Sequence, residues 1–406
     1  MTSPETLGRT ANGANPQASK QNGLLRGRDI VCFPHDWTGD PLSKTHLMRI
    51  FARDNRVLWV NSIGLRSPTA SKADLSRSFK KLAAVATPVR EVEPNIFVLN
   101  PLSIPAYGQP LLRAAVGRLL RYQVRRAMRH LGFRRPINYV FIPSAALIAG
   151  SLGEELVVYH CVDEYAAFSD IQAGPILEME NQLLRRADLV ITSAELLYQS
   201  KSQLNPNTVL VRHGVDYMHF RRALDPETVV PEELARLPHP RIGFFGLIAD
   251  WVDLDLMAYV ARAFPTGSVV FVGKSITDIS ALEQLPNVHF LGRKPYADLP
   301  AYCKGFDVAV MPFRINELTL NANPLKVREY LAAGLQVVST PIPEVEVLGL
   351  CRIASTPEAF VREIEAALAE GPGPNAERSE AIRSESWESR VETIGRHLAE
   401  AERSKS

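Results

Sequence analysis

Two apolar runs, Glu155-Leu-Val-Val-Tyr159 and Asp188-Leu-Val-Ile-Thr192, decide the fold, because a single longer helical pattern separates them. Near-continuous apolar runs that alternate with helices are typical of parallel strands covered on both faces. The same alternation begins at residue 29 and continues to residue 211. The other runs in this part of the chain are Asp29–Phe33, Arg56–Val60, Asn138–Ile142 and Thr208–Val211.

The alternation pauses over residues 221–240, where four prolines stand among charged residues, and it restarts at Ile242-Gly-Phe-Phe245. The later runs are Ser268–Val272, Val288–Leu291, Asp307–Met311 and Gln336–Ser339. The sequence therefore predicts an α/β protein with two doubly wound, Rossmann-like domains that face a central cleft. Ligands are expected at the carboxyl ends of the strands and in that cleft.

This pattern also sets the expected domain boundaries. The first residues are rich in Ser, Asn, Gly and Gln and lack the apolar core of a secretory signal peptide, which predicts a disordered tail. The predicted units are a tail over residues 1–27, a first domain over 28–220, a linker over 221–240, a second domain over 241–375, and a last helix over 376–406 that packs back toward the first domain.

The composition excludes several classes of protein. The 406 residues are 46% hydrophobic and 22% charged, which is average for a globular protein and unlike a disordered chain. The net charge of +2 means that a polyanionic partner would need a local basic cluster. The four cysteines stand singly, so they form neither zinc-binding pairs nor a disulfide scaffold, and they favour a reducing cytoplasm.

A local basic cluster lies between Glu93 and Glu154, where the chain has no acidic residue and eight arginines. A helical projection places apolar residues on one face and arginines on the other. The arginines of that face are Arg118, Arg121, Arg125 and Arg129. We expect this face to bind an anionic membrane surface or the phosphates of a lipid-linked acceptor, and a merely solvated face is the alternative. No nucleic-acid recognition motif accompanies it, so no nucleic-acid partner is predicted.

The second half carries a family resemblance. Residues 287–302, 306–313 and the glycine-ended helix over 324–334 resemble the C-terminal domain of retaining GT-B glycosyltransferases of family four. Weaker similarity extends over roughly residues 29–400. It includes His213-Gly-Val-Asp216 and Ser386-Trp-Glu388. The closest likeness is to the branch that builds bacterial cell-wall and surface polysaccharides.

The resemblance implies an activity and a location. It implies a hexosyltransferase that moves a sugar from a nucleotide-sugar donor to a lipid-linked or polysaccharide acceptor, with retention. The first domain would hold the acceptor and the second the donor. Members of this group typically need no metal and no other cofactor, and Asp253-Leu-Asp255 is explained by acidic residues that favour a helix start. The expected location is the cytoplasm, peripheral on the inner face of the cell membrane.

The donor site is expected at the start of the helix after Asp307–Met311. Asn323 can cap a helix that begins with Pro324 and Leu325, because proline has no N–H to leave unpaired there. The free N–H groups then favour a diphosphate, to which Lys326 adds a point charge and Arg314 a bidentate fork.

The resemblance assigns further donor residues. Glu329 corresponds to the second glutamate of the family's E-x7-E signature, which holds the ribose hydroxyls, whereas Asn321 replaces the first. The remaining predicted donor residues are polar or small groups on nearby loops, and an ordinary solvent-facing turn is their alternative. They are Asn316 and Thr319, and Gly246, Asp250 and Trp251 in the loop where family members usually present an Arg and a Lys.

Two loops of the first domain supply the other candidates. Asp36, Trp37 and Gly39 follow the first strand and are expected at the acceptor or the cleft. His160 and Asp163 end a later strand and could bind sugar hydroxyls, unless they form a capped helix entry. His213 is expected in a hinge or cleft wall.

Two other functions share this architecture. A nucleotide-sugar 2-epimerase would act without an acceptor. A non-catalytic GT-B scaffold subunit would be consistent with the asparagine at position 321 and with the absent Arg/Lys pair.

Overall fold

The computed structural model describes residues 25–62, 89–102, 110–169 and 171–405. The predicted disordered tail lies almost entirely outside these residues, because the description begins at Leu25. Within them the chain forms two sheets, each with helices packed on both faces.

The first sheet has the strand order β3-β4-β2-β1-β5-β6-β7-β8 among the described residues. Its pairs are parallel except for β3 and β4, which form an antiparallel edge pair. Strand β6 is buried along its whole length, as the apolar runs predict. The strands are β1 Asp29–Phe33, β2 Arg56–Val60, β3 Arg90–Glu93, β4 Ile96–Leu99, β5 Ile137–Val140, β6 Leu156–Cys161, β7 Leu189–Thr192 and β8 Thr208–Leu210.

Four α-helices accompany this sheet in the described residues, and short 3₁₀ turns at Pro143–Leu147 and Tyr165–Ala167 follow β5 and β6. The helices are α1 Ser43–Phe51, α2 Pro110–Leu131, α3 Ala173–Arg186 and α4 Glu195–Lys201. The predicted basic helix is therefore α2.

The second sheet has the order β11-β10-β9-β12-β13-β14, and all its pairs are parallel. Its strands are β9 Arg241–Phe245, β10 Ser268–Val272, β11 Val288–Phe290, β12 Val308–Met311, β13 Val337–Ser339 and β14 Arg352–Ile353. The helices from residue 217 onward are α5 Tyr217–Phe220, α6 Glu232–Ala235, α7 Leu254–Ala263, α8 Ser280–Glu283, α9 Leu299–Gly305, α10 Glu317–Leu320, α11 Leu325–Ala332, α12 Pro343–Glu346, α13 Pro357–Glu370, α14 Ala376–Ala381 and α15 Trp387–Lys405.

Strand order reverses between β1 and β5 in the first sheet and between β9 and β12 in the second. Parallel sheets bind ligands at the carboxyl ends of the strands beside such a reversal. The loops that follow β1, β5, β9 and β12 lie at these reversals, and the loop after β6 follows the strand next to β5.

Two segments join the domains. Residues 221–240, predicted as a linker, contain a 3₁₀ turn and α6, and they pack on the second domain because Ala223 and Leu234 are buried in its core. Helix α15 returns the chain to the first domain, where Trp387 and Leu398 join the hydrophobic core.

Candidate functional site

Helix α11 begins beside the cleft without a side-chain cap. Its first residue is Leu325, and Pro324 precedes it in an extended conformation. The first N–H groups of an α-helix have no partner within the helix, so this start can hold an anion. The sequence prediction that Asn323 caps the helix is wrong.

Asn323 instead joins the two domains. Its side-chain N–H₂ donates to the Ser193 carbonyl at 2.6 Å and to Oε2 of Glu344 at 3.3 Å, and its amide oxygen accepts from the Arg328 guanidinium. These buried partners take the side chain away from the helix start. Arg328 is fully buried, and nothing in the sequence pattern distinguished it from a surface arginine.

Lys326 and Glu329 face each other in the cleft, on the first turns of α11. Burial raises the pKa of Glu329 to about 7, although the nearby Lys326 ammonium opposes the shift and the Asp216 carboxylate adds to it. Burial lowers the pKa of Lys326, and Glu329 opposes that shift. The Glu329 carboxyl is half-protonated near neutral pH, and the Lys326 ammonium is desolvated. An anionic ligand with hydroxyl groups would give the ammonium a negative partner and the carboxyl hydrogen-bond donors.

Gly246, which follows β9, makes room for this lysine. Its φ is +137°, and a Cβ there would lie 1.8 Å from Cε of Lys326. Gly273 is required for a similar reason, because a Cβ at position 273 would lie 1.8 Å from the carbonyl oxygen of Gly246. Position 246 therefore needs a glycine, because the Lys326 side chain occupies the space that any side chain at position 246 would fill.

Tyr296 stacks on His219 and interacts electrostatically with Glu329. Its hydroxyl is buried and has no hydrogen-bond partner among the described residues. Burial raises its pKa, and the Glu329 and Asp216 carboxylates raise it further. The phenol therefore stays protonated and can donate to a ligand beside Glu329. The sequence analysis missed it because a tyrosine in a loop carries no pattern.

Arg314 turns toward helix α7. Its guanidinium lies 3.4 Å from the Asp255 carboxylate, and its backbone N–H donates to the Trp251 carbonyl at 2.8 Å. Asp253 caps α7 by accepting from the Leu256 N–H at 3.0 Å. The backbone bond joins the loops after β9 and β12, whereas the predicted contact between the Arg314 side chain and a diphosphate stays a prediction.

The polar loop after Arg314 is bound within itself. Asn316 and Thr319 form a capping box at the start of α10, and the Thr319 hydroxyl also donates to the Arg314 carbonyl at 2.5 Å. Asn321 donates to the Glu317 carbonyl at 2.8 Å. These bonds use the Asn316 amide oxygen and the Thr319 hydroxyl within the turn, and the predicted contact of the two residues with a donor sugar stays a prediction.

The first domain contributes a buried lysine that the sequence analysis missed. Lys44, in the first turn of α1, is 8% exposed and donates to the Tyr165 hydroxyl at 3.3 Å. Burial lowers its pKa, while Asp163 opposes that shift most strongly. Burial in turn raises the pKa of Asp163, and Lys44 opposes it. Its place after β1, at the strand reversal, was the signal that could have found it.

Three histidines surround Lys44, and each has one ring nitrogen that is buried without a partner among the described residues. Nδ1 of His160 lies 2.9 Å from the Tyr139 hydroxyl, and Nδ1 of His213 lies 2.8 Å from the Asn323 carbonyl. Burial lowers the pKa of His160 well below its ordinary value, that of His213 to about 3 and that of His35 to about 4, with Lys44 adding to each shift.

These residues form what we call the cleft cluster: Lys44, Asp163, His35, His160 and His213. Its imidazoles are neutral at physiological pH. Nδ1 of His213 donates to the Asn323 carbonyl, so its free Nε2 accepts a hydrogen bond, whereas the free nitrogens of His35 and His160 donate or accept according to the tautomer. Polar atoms that are buried without partners are costly and indicate a ligand-binding role. The structure therefore places the predicted His160, Asp163 and His213 together, around a lysine.

The predicted residues of the β1 loop have structural contacts. Oδ1 of Asp36 accepts from the Ser62 N–H at 2.8 Å, and the Trp37 ring packs edge-on against Trp59 at 4.8 Å between centroids. Gly39 is exposed, with a φ of +131°. These contacts shape the loop, and an acceptor role for the three residues stays a prediction.

Asp250 and Trp251 lie across the cleft from the first domain. The Ser169 hydroxyl donates to Oδ2 of Asp250 at 2.8 Å, and the Trp251 ring meets Phe168 edge-on at 6.4 Å. The Asp40–Arg293 ion pair, at 2.9 Å, is a further contact between the domains. The loops after β6 and β9 therefore touch each other.

The predicted membrane residues of α2 divide into two groups. Arg118, which is exposed, and Arg121, which is half-buried, line a cavity. Arg125 and Arg129 are exposed, and Arg125 donates to the Ser151 carbonyl at 2.6 Å. In the described parts of the chain, no helix combines the length and apolarity needed to cross a bilayer.

Side chains that commonly bind metal ions are dispersed in the described residues. Across residues 25–62, 89–102, 110–169 and 171–405, no three His, Cys, Asp or Glu side chains are grouped so as to hold a metal ion. The expectation that no metal or cofactor is required stays a prediction.

Comparison with known proteins bears on the second domain. Residues 239–370 match the sequence model of the family described as glycosyl transferases group 1. A protein of Bacillus subtilis (strain 168) named for teichuronic acid biosynthesis as a glycosyltransferase, TuaH, is 28% identical over 231 residues, which are 52% of this chain and 57% of that protein. The chain thus spans little more than half the length of this curated relative.

Solved structures share the whole architecture. Sucrose-phosphate synthase from Thermosynechococcus elongatus superposes with a TM-score of 0.64 at 15% identity, covering 92% of this chain and 98% of that one. Anabaena HepE in complex with UDP-glucose gives a TM-score of 0.59 at 15% identity, covering 93% and 99%. The predicted GT-B fold is confirmed, and the family match falls within the second domain, whose residues carry the resemblance.

Proposed function

We propose that this protein is a glycosyltransferase that moves a sugar from a nucleotide-sugar donor to a lipid-linked or polysaccharide acceptor of the cell envelope, with retention at the anomeric carbon. The observation that carries the proposal is the Lys326–Glu329 pair on α11, packed against Gly246 within the domain that matches glycosyl transferases group 1. The name of the Bacillus subtilis relative supports the polysaccharide acceptor.

The second domain would bind the donor. The uncapped start of α11 offers N–H groups to the diphosphate, and Lys326 adds a positive charge beside them. Glu329, as a carboxylate, would accept hydrogen bonds from two ribose hydroxyls. Anabaena HepE, which shares the fold, is described with UDP-glucose, and this supports a nucleotide sugar as the class of donor.

In this transfer the protein must stabilise the departing diphosphate. Negative charge grows on the phosphate oxygen as the bond to the anomeric carbon breaks, and a desolvated ammonium stabilises that charge more strongly than one in water. The acceptor oxygen would form the new bond on the same face of the sugar, and its proton would pass to the phosphate oxygen that leaves.

The first domain would bind the acceptor in the cleft cluster. Neutral ring nitrogens of His160 and His213 can orient acceptor hydroxyls without adding charge. Lys44 and Asp163 provide one donor and one acceptor beside them. The exposed arginines of α2 would hold the enzyme at the anionic inner face of the membrane, where a lipid-linked acceptor is found.

A donor screen tests this function. The protein is incubated with a panel of nucleotide sugars, and we expect one donor to be hydrolysed slowly to free nucleotide and sugar, with Lys326→Ala strongly reducing the rate. Conversion of the sugar to its 2-epimer would assign the epimerase function instead, and absence of binding to every donor would assign a scaffold. Chelator should leave the rate unchanged.

A further inference from the structure

A second polar cavity lies on the outer side of the first domain, away from the cleft cluster. Its volume is about 580 Å³, and four guanidinium groups line it without any carboxylate in the lining. Helix α2, the 3₁₀ turn Pro143–Leu147 and helix α3 form its walls. We call it the four-arginine pocket, after Arg113, Arg118, Arg121 and Arg186.

The backbone around the pocket is built to hold one of these arginines. Arg186 donates to the Ala146 carbonyl at 2.9 Å and to the Ala149 carbonyl at 2.5 Å. Gly150 has a φ of +78°, and a Cβ there would lie 2.6 Å from Cδ of Arg186. A glycine is therefore required for the arginine to lie across this loop, which fixes its charge in the wall of the pocket.

Helix α2 approaches the same turn closely. Gly117 faces the Leu147 carbonyl, and a Cβ at Gly117 would lie 3.3 Å from that oxygen. This contact keeps the two neighbouring arginines of α2 at the rim of the cavity. The spacing between these two arginines is set by the helix, whereas arginines on a loop would have no fixed spacing.

Three of the four arginines have no carboxylate partner among the described residues, and one of these three, Arg186, donates to two backbone carbonyls. Arg113 is paired with Glu178 at 2.9 Å. Arg118 and Arg121 have no acidic partner among the described residues, and Nε of Arg121 is buried without any hydrogen-bond partner there. Bringing like charges together around a partly desolvated cavity is unfavourable unless an anion occupies it.

We propose that the four-arginine pocket binds a phosphate group at a site separate from the cleft. A guanidinium presents two parallel N–H groups that match two phosphate oxygens, and this favours phosphate over a chloride ion. The phosphate can come from a lipid headgroup or from a soluble phosphate. The site does not depend on glycosyl transfer, because its residues are outside the cleft cluster and α11.

The test compares two charge-matched double variants of the full chain. Arg118→Gln/Arg121→Gln removes two guanidiniums of the pocket that have no carboxylate partner among the described residues. Arg126→Gln/Arg134→Gln removes two exposed arginines, on the same helix and just after it, that neither line the pocket nor belong to the predicted membrane face. Calorimetry with inorganic pyrophosphate measures the soluble source. Sedimentation with phosphatidylcholine vesicles that contain phosphatidic acid measures the lipid source.

We expect the pocket variant to lose affinity roughly tenfold or more for at least one probe, since each lost hydrogen bond joins two charged groups. The control variant should change by less than about threefold, the effect of general surface charge. Loss with pyrophosphate identifies a soluble phosphate, and loss with vesicles alone identifies a headgroup. Equal losses in the two variants, or no binding of either probe by the wild type, would overturn the site.

The cleft can also bind pyrophosphate, so the number of binding sites is measured for each variant. Only the pocket variant should lose one site, and Lys326→Ala should retain the pocket site. Failure of the proposed donor chemistry would appear in the nucleotide-sugar screen and would leave this comparison unchanged. Thermal unfolding of both double variants verifies that they fold.

Discussion

Among single residues of the cleft, Glu329 gives the clearest test, because its carboxyl is buried beside the positive charge of Lys326. Burial raises its pKa to about 7 in spite of Lys326. A group with this pKa changes protonation near physiological pH, so its effect on folding can be separated from its effect on binding.

The first prediction concerns stability and pH. Between about pH 4.5 and about pH 7 the unfolded chain releases the Glu329 proton while the folded protein retains it, so the free energy of unfolding falls as pH rises. Glu329→Gln removes this loss. Its Tm should therefore exceed that of the wild type by an amount that grows from about pH 5 to about pH 8. Glu365→Gln, on the exposed face of α13, is the control, and a Tm difference independent of pH would contradict the raised pKa.

The second prediction separates Glu329 from Lys326 by kinetics. If Glu329 holds the ribose, Glu329→Ala should weaken donor binding by roughly 10- to 150-fold, the loss of a hydrogen bond to a charged group, with a smaller effect on kcat. If Lys326 stabilises the departing diphosphate, Lys326→Ala should lower kcat more than it raises KM.

Steady-state kinetics with the donor found in the screen measure both effects. A wild-type kcat in Lys326→Ala would show that α11 binds another part of the ligand. Unchanged donor affinity in Glu329→Ala would show that Glu329 does not bind the ribose.

The sequence predicted residues of the site unevenly, for physical reasons. Lys326 was predicted because it stands in the first turn of a helix after a buried strand, and Glu329 was predicted from the family resemblance. Lys44 was missed because a lysine at a helix start has the pattern of a solvated residue, and only the packing of Phe141 and Tyr165 around it buries its ammonium. Asn323 was predicted as a cap because local rules cannot anticipate partners such as Ser193 in another domain.

At the scale of elements, the loop after β9 determines the position of Lys326. The third prediction is that Gly246→Ala displaces the lysine, because the new Cβ would overlap its Cε. The positive φ adds about 1–3 kcal/mol of strain. Donor affinity should therefore fall together with stability. Gly371→Ala is a matched control, since Gly371 has a φ of +127° and open space at its Cβ, so it should lose stability only. Calorimetric unfolding and nucleotide titration measure the two effects, and equal donor affinity in both variants would disprove the contact.

The fourth prediction concerns helix α2. Each arginine near an anionic membrane contributes about 1 kcal/mol, so replacing Arg118, Arg121, Arg125 and Arg129 by Gln should release the protein from anionic vesicles in low salt. Wild-type binding should also weaken as salt is added. Vesicle sedimentation measures both, with thermal unfolding as the folding control. Undiminished binding of the variant would exclude this face of the helix as the membrane contact.

The parallel strands were predictable from their apolar runs, because a strand that is buried on both faces needs apolar side chains at successive positions. The antiparallel edge pair β3–β4 was not predicted, since Arg90–Glu93 is a charged and partly exposed strand. Residues 221–240 were predicted as a linker from prolines and charges. Their packing depends on Ala223 and Leu234, two apolar residues without periodic spacing.

At the scale of the whole molecule, the domains meet through exposed as well as buried contacts. The Asp40–Arg293 pair is exposed on both sides, and such pairs contribute only about 0–1 kcal/mol. Glu344 is almost fully buried and accepts from the Glu195 N–H at 2.7 Å and from the Arg212 guanidinium at 2.7 Å. The buried contacts can act as a hinge while the exposed ones open.

The fifth prediction is that a nucleoside diphosphate closes the cleft, because it would contact α11 while the loops of the first domain approach it. Small-angle scattering should show a smaller radius of gyration with saturating nucleotide. Lys326→Ala should remain at the larger radius under the same conditions. Equal radii for the wild type with and without nucleotide would argue for a rigid cleft.

Asn323, which immediately precedes α11, receives a hydrogen bond from His213 on its carbonyl and donates one to Ser193. The ring of His213 also belongs to the cleft cluster, so one imidazole lies between the two proposed substrates. Thermodynamic reciprocity then requires that, if an acceptor tightens donor binding by some factor, the donor tightens acceptor binding by the same factor. The two proposed substrates would then influence each other's binding through one shared residue, His213.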